Sequence, residues 1–159
     1  MDIKQRPDGS VAWYSDQEGL DLSRAGGPKT PTAATQAKYR LATVAVIPLG
    51  IAAGNGGVVS WQPDNNAIDY IISAVDLDIT AAQSAQTISV GTAANGSTSS
   101  ANLIDTLSIA ATGTFDNTTD KGTNGKSRQH LTAGQFVTAT ASGTPASLVG
   151  NLYITYWPV

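Results

Sequence analysis

From residue 68 to residue 80 the chain reads Ile-Asp-Tyr-Ile-Ile-Ser-Ala-Val-Asp-Leu-Asp-Ile-Thr, with apolar and polar side chains largely alternating. A period of two puts Ile71, Ser73, Val75, Leu77 and Ile79 on one side of a strand, and Ile72, Ala74, Asp76, Asp78 and Thr80 on the other. The first side is apolar. The second starts apolar, with Ile68, Tyr70 and Ile72, and turns acidic after Ala74. A strand covered on both faces at one end and wetted on one face at the other suits an antiparallel sandwich. A helical period fits worse, because it gathers Asp69, Ile72, Asp76 and Ile79 on one face.

The same grammar recurs along the chain. Strands are expected over residues 41–53, where Pro48 marks an edge, a bulge or a break, and over 58–62. Further strands are expected over 87–92, with Ile88, Val90 and Thr92 on one face, and over 136–141. Residues 103–107 admit a helical turn, whereas 107–112 prefer a strand. The last strand, 150–157, sets Leu152, Ile154 and Tyr156 against Tyr153, Thr155 and Trp157. Asn55-Gly-Gly, residues 63–66 and residues 143–145 read as turns, 94–100 as a flexible loop, and 116–126 as the longest polar run. Seven or eight strands without an intervening helix predict an all-β antiparallel β-sandwich, jelly-roll-like, over residues 41–159. Residues 1–40 lack the alternation and carry Pro7, Pro28 and Pro31 among several glycines, so they read as an extended N-terminal arm. Residues 33–39 admit a helical turn or two.

Composition agrees with that picture. The chain has 159 residues, enough for one domain with its own core. Gly is plentiful and Glu occurs once, at Glu18, a mix that favours short strands and tight turns over helices. Only 13% of residues are charged, which excludes a disordered polyelectrolyte. There is no cysteine, hence neither a disulfide nor a thiolate metal site. The start has no signal-peptide pattern and no stretch is apolar enough to span a membrane, so neither secretion nor membrane insertion is expected. The net charge of −3 argues against general nucleic-acid binding. Charge is unevenly spread: residues 41–159 hold three cations against seven aspartates, whereas residues 22–40 hold Arg24, Lys29, Lys38 and Arg40 with no anion.

Reaction chemistry is sparse. His130 is the single histidine and no Gly-x-Ser-x-Gly elbow occurs, so a surface or hydrogen-bonded loop role is expected for it. Asp76 and Asp78 share a strand face and read as its solvated side rather than as a glycosidase pair. The 116–126 run lacks calcium-loop spacing. No phosphate-binding glycine motif is present, and no cofactor is expected. Asn95-Gly-Ser and Asn117-Thr-Thr match the glycosylation sequon but read as turns. No enzymatic activity is expected.

The stretch from His130 through Leu-Thr-Ala-Gly-Gln-Phe-Val-Thr-Ala-Thr-Ala-Ser-Gly-Thr-Pro, then Leu148-Val-Gly-Asn-Leu-Tyr-Ile-Thr-Tyr, resembles tailed-bacteriophage head-decoration (cement) proteins of the β-sandwich type. Thr87-Ile-Ser-Val-Gly-Thr and Leu107-Ser-Ile-Ala-Ala-Thr look similar too, so the resemblance spans about residues 68–159 in style and composition. It implies a homotrimer on the outer capsid surface of a virion, made in the host cytoplasm, with the major capsid protein as partner. It also implies an arm that ties neighbouring shell subunits together. Trp13, Tyr14, Arg24, Lys29, Lys38 and Arg40 are the candidate partner-binding residues of that arm. Trp13 and Tyr14 can equally pack on the protein's own body. The alternative reading is a carbohydrate-binding or fibre-tip β-sandwich, which needs an exposed aromatic platform from Trp61, Tyr156 and Trp157.

Overall fold

A computed structural model of the chain describes residues 2–5, 11–14, 42–49 and 58–159. The chain divides into two compact units, residues 1–32 and 33–159. In the first, the described residues are two short strands. Strands β1 (Asp2–Gln5) and β2 (Val11–Tyr14) pair antiparallel, with Ile3 opposite Trp13 and Asp2 opposite Tyr14. The helical turn admitted at 33–39 falls outside the described residues.

The second unit is all-β. Among its described residues the strands are β3 (Thr43–Pro48), β4 (Val58–Trp61), β5 (Tyr70–Ala81), β6 (Thr87–Ala93), β7 (Ile104–Ser108), β8 (Gly113–Asp116), β9 (Gln129–Leu131), β10 (Phe136–Ala141) and β11 (Val149–Pro158). The ambiguous 103–112 stretch is therefore strand at its start. One sheet runs β4-β10-β6-β7 and the other β3-β11-β5-β8, with β9 also pairing β5. Every ladder is antiparallel. Set β9 aside, and the order is that of a jelly roll. One long ribbon of paired strands (β3 with β11, β4 with β10, β5 with β8, β6 with β7) is rolled up. The roll is closed by β11 meeting β5 and β10 meeting β6.

The core lies between the sheets. Val75, Leu77, Ile79, Leu152 and Ile154 come from one, and Ile88, Val90, Ile104, Val137 and Ala139 from the other. Truncating any of the Leu or Ile residues to Ala costs about 2–5 kcal/mol.

The central strand β5 departs from a plain period of two. Tyr70 and Ile72 are buried together with Val75, Leu77 and Ile79, so the inward phase shifts between Ile72 and Val75. The register gives the cause: Thr155 lies opposite Ala74 but Tyr156 opposite Ile72, leaving Ser73 as the extra residue of a β-bulge. Ile71 therefore faces away from Val75, and the expectation that the two share a side is corrected. A second slip, between Val149 and Gly150 on β11, leaves Thr80 extra on β5. In both bulges the extra residue's hydroxyl donates across the ladder, Ser73 Oγ to the Thr155 carbonyl (3.2 Å) and Thr80 Oγ1 to the Val149 carbonyl (3.2 Å). A bulge disrupts the ladder locally, and here each extra residue's hydroxyl adds a bond across it. At the second bulge the backbones approach so closely that a Cβ on Gly150 would collide with the Asp78 carbonyl.

Two of the loops read from sequence are hydrogen-bonded to the sheets. The 94–100 stretch, read as a flexible loop, lies on the outer face of the four-stranded sheet. There the buried Thr138 hydroxyl donates to the Thr98 carbonyl at 3.0 Å. The 116–128 loop bridges the two sheets at one edge of the sandwich. Asn117 bonds to β5, while Asp105 on β7 donates its N–H to the Lys121 carbonyl (2.9 Å) and its carboxylate accepts from Asn124.

Candidate functional site

The outer face of the five-stranded sheet is the candidate surface. Along β11 the buried Gly150, Leu152 and Ile154 alternate with Asn151, Tyr153 and Thr155, which face outward. Val44 and Val46 on β3 alternate with residues packed on the core and are 55% and 56% exposed. Across the strands, Val46 lies opposite Tyr153, Tyr153 opposite Asp76, and Asp76 opposite Asp116. The next outward row runs from Pro48 through Asn151 to Asp78 and Thr114. The face is therefore graded, apolar at β3 and acidic at β8. Among the described strands β3 pairs with β11 alone, so the apolar side is also a sheet edge.

The two facing carboxylates are shifted in opposite directions. Partial burial, then repulsion from Asp116, raises the Asp76 carboxyl above its ordinary range. The Thr119 and Thr118 backbone N–H groups, with the Thr119 hydroxyl, hold Asp116 below it. Asp116 Oδ1 accepts those N–H groups at 2.8 and 2.6 Å, and Oδ2 accepts the Thr119 hydroxyl at 2.9 Å.

At the far end of the same face, Trp157 lies opposite Ile71, and Ile71 opposite His130. The Arg128 guanidinium stacks 5.7 Å from the Trp157 ring centroid. His130 has two side-chain neighbours that sequence reading missed: Asp69 Oδ2 lies 3.3 Å from Nε2, and Thr132 Oγ1 lies 3.4 Å from Nδ1. The order carboxylate–imidazole–hydroxyl is that of a nucleophilic relay. Both contacts are longer than the roughly 2.6–3.2 Å of a working one, and both ionisable side chains are open to water. Asp69 Oδ1 also accepts the Ala133 N–H at 2.7 Å. The cluster thus pins the 130–133 turn to the start of β5. Among the described residues no group of three His, Cys, Asp or Glu side chains is placed to hold a metal ion.

Trp61, Tyr156 and Trp157 do not share a face. Trp61 and Tyr156 pack inward on the core with ring centroids 4.8 Å apart, tilted by 60°. Tyr70 meets Tyr156 edge-on at 5.5 Å and donates its hydroxyl to the Asn65 carbonyl. Burial, then the Asp64 carboxylate, raises both tyrosine hydroxyls above their ordinary range. Trp157 belongs to the opposite face. Of the two sequons, Asn117 is 1% exposed and fully engaged.

The arm residues are placed only in part. Trp13 and Tyr14 sit on β2, whereas Arg24, Lys29, Lys38 and Arg40 lie outside the described residues. Compared with family models, with curated proteins and with solved structures, the chain matches none.

Proposed function

We propose that this chain is a non-enzymatic structural protein that binds the outer surface of a tailed-phage capsid. It stabilises the shell by bridging neighbouring major capsid protein subunits, and it acts as a homotrimer. The observation that carries the reading is the graded outer face of the five-stranded sheet. Two exposed valines on β3 lie beside an outward tyrosine on β11, with carboxylates on the far side. A contiguous apolar patch rimmed by polar groups is the make-up of an assembly surface. The rolled sandwich is also the architecture that the cement-protein resemblance implies. In this reading Trp13, Tyr14, Arg24, Lys29, Lys38 and Arg40 contact the shell. Several arms engaging at once offset the ordering cost of each. The test is co-sedimentation with undecorated capsids, beside the oligomeric mass of the free protein by light scattering. Saturable binding by a trimer is expected. A monomer that neither binds nor assembles on capsids overturns the proposal.

A further inference from the structure

The turn at residues 95–98 holds an amide in an unusual setting. Asn95 Oδ1 accepts three hydrogen bonds, from the Ser97 N–H (3.1 Å), the Ser97 hydroxyl (2.9 Å) and the Thr98 hydroxyl (2.8 Å). The next residue is Gly96, whose N–H makes no hydrogen bond among the described residues; nor does the Asn95 Nδ2 group. Asn95 is exposed, so water and solvent base reach it. The turn is anchored from below by the bond between Thr138 and the Thr98 carbonyl. Gly96 fits there because a Cβ would lie 2.9 Å from Ser60 Oγ. A glycine also leaves its own nitrogen unobstructed.

We propose that Asn95–Gly96 is a self-modification site, at which the fold accelerates deamidation. Solvent base removes the Gly96 amide proton, and the nitrogen attacks Asn95 Cγ. As the N–Cγ bond forms, negative charge gathers on Oδ1, where three donors already point. The Cγ–Nδ2 bond then breaks, Nδ2 takes a proton from water, and ammonia leaves. The resulting five-membered imide is opened by one water at either carbonyl, giving aspartate or its isoaspartyl isomer. One water enters and one ammonia departs, with no redox change. Aspartate keeps the acceptor that the turn needs, so the direct product retains the turn and adds one negative charge to the outer face of the four-stranded sheet.

The same dipeptide at Asn124–Gly125 is an internal control, because its surroundings oppose each step. Asn124 Nδ2 and its backbone N–H both donate to Asp105 Oδ2, at 2.7 and 3.2 Å. The leaving group is thus tied down beside a carboxylate, which repels the charge that would develop. Asn124 Oδ1 accepts no hydrogen bond among the described residues. Carbonyls of Lys121 and Leu103 crowd Gly125.

The test is incubation of the full-length protein in mildly alkaline buffer, folded and in urea, followed by peptide mapping with mass spectrometry. Asn55–Gly56, outside the described residues, is read separately. In the folded protein Asn95 is expected to convert roughly tenfold faster than Asn124, a difference of about 1.4 kcal/mol in barrier. It is also expected to convert faster than it does in urea. Replacing the hydroxyl donors, Ser97→Ala with Thr98→Val, should slow it several-fold in a variant whose thermal melt shows it folded. Conversion at Asn95 that is equal or faster in urea overturns the proposal, because the turn would then restrain the amide rather than activate it. Conversion that is unchanged or faster in the folded double variant does the same.

Discussion

Asn117 pairs with Val75 as a neighbouring strand would. Its backbone N–H donates to the Val75 carbonyl at 3.0 Å, and its side-chain oxygen accepts the Val75 N–H at 2.9 Å. Its Nδ2 group donates to the Lys126 carbonyl at 2.9 Å. The residue fills the gap along β5 where the neighbour changes from β8, ending opposite Asp76, to β9, starting opposite Ile72. Asn117→Ala leaves a buried N–H and a carbonyl without partners, each costing about 1–3 kcal/mol. A loss of roughly 2–4 kcal/mol is expected from urea denaturation. A loss below half of that lower bound means that water replaces the side chain.

The Asp76–Asp116 pair makes stability depend on acid in two opposite ways. Asp76 has a raised folded-state pKa, so its contribution is fully present below the unfolded value near about 4 and is lost as pH rises through the folded value. Asp116 has a lowered one, so its contribution is present above that unfolded value and is lost as pH falls through the folded value. At neutral pH Asp76→Asn is therefore expected to stabilise by a few tenths of a kcal/mol, since solvent screens both groups. The gain should vanish in acid. Denaturant midpoints of both proteins across the carboxylate range check this, and a variant less stable at neutral pH refutes it.

Val46→Lys places a charge on the exposed valine opposite Tyr153. Being on the solvent side of an edge strand, it should change fold stability by no more than about 0.5 kcal/mol. Under the proposed function it should shift the trimer toward monomer in light scattering. An unchanged mass at equal concentration would move the self-association surface elsewhere.

Deleting residues 1–40 should leave the rolled sandwich folded and weaken capsid attachment. Trp13→Ala is expected to cost more binding than any single Lys→Ala, about 2 kcal/mol if the ring is a buried anchor. Added salt should weaken the share carried by Arg24, Lys29, Lys38 and Arg40. Co-sedimentation with a parallel thermal melt separates the outcomes. A truncated protein that binds like the full chain removes the arm as anchor, and one that fails to fold assigns Trp13 and Tyr14 to the protein's own core.

What the sequence discloses here is what local alternation controls. In β11, Leu152, Ile154 and Tyr156 face one way and Tyr153, Thr155 and Trp157 the other, as the period of two requires, because no bulge residue falls on that strand. In β5 the phase change at Ser73 was not legible, since a bulge is a property of a pair of strands and the partner lies some 80 residues away. Asn117 sits in a polar run like any loop residue, and its burial comes from Val75, 42 positions earlier. The outward acidic row was readable from Asp76 and Asp78, but its apolar counterpart at Val44 and Val46 needed the sheet order. Of the two neighbours of His130, Asp69 is long-range, because β9 joins β5 by topology rather than by proximity in sequence.

The rolled ribbon has a consequence for how the protein is made. β3 emerges from the ribosome well before its partner β11, which is synthesised more than a hundred residues later. β5 too must wait for both its neighbours, β8 on one side and β11 on the other. Until then its Ile- and Val-rich edges are open to strands of other nascent chains. Pairing of such distant segments carries a high loop-closure cost and is slow. The sandwich therefore closes only after translation has passed residue 158. Keeping the half-made sheet from its neighbours on the polysome, by slower initiation or a bound holdase, is therefore expected to raise yield in a cell more than a stronger core would.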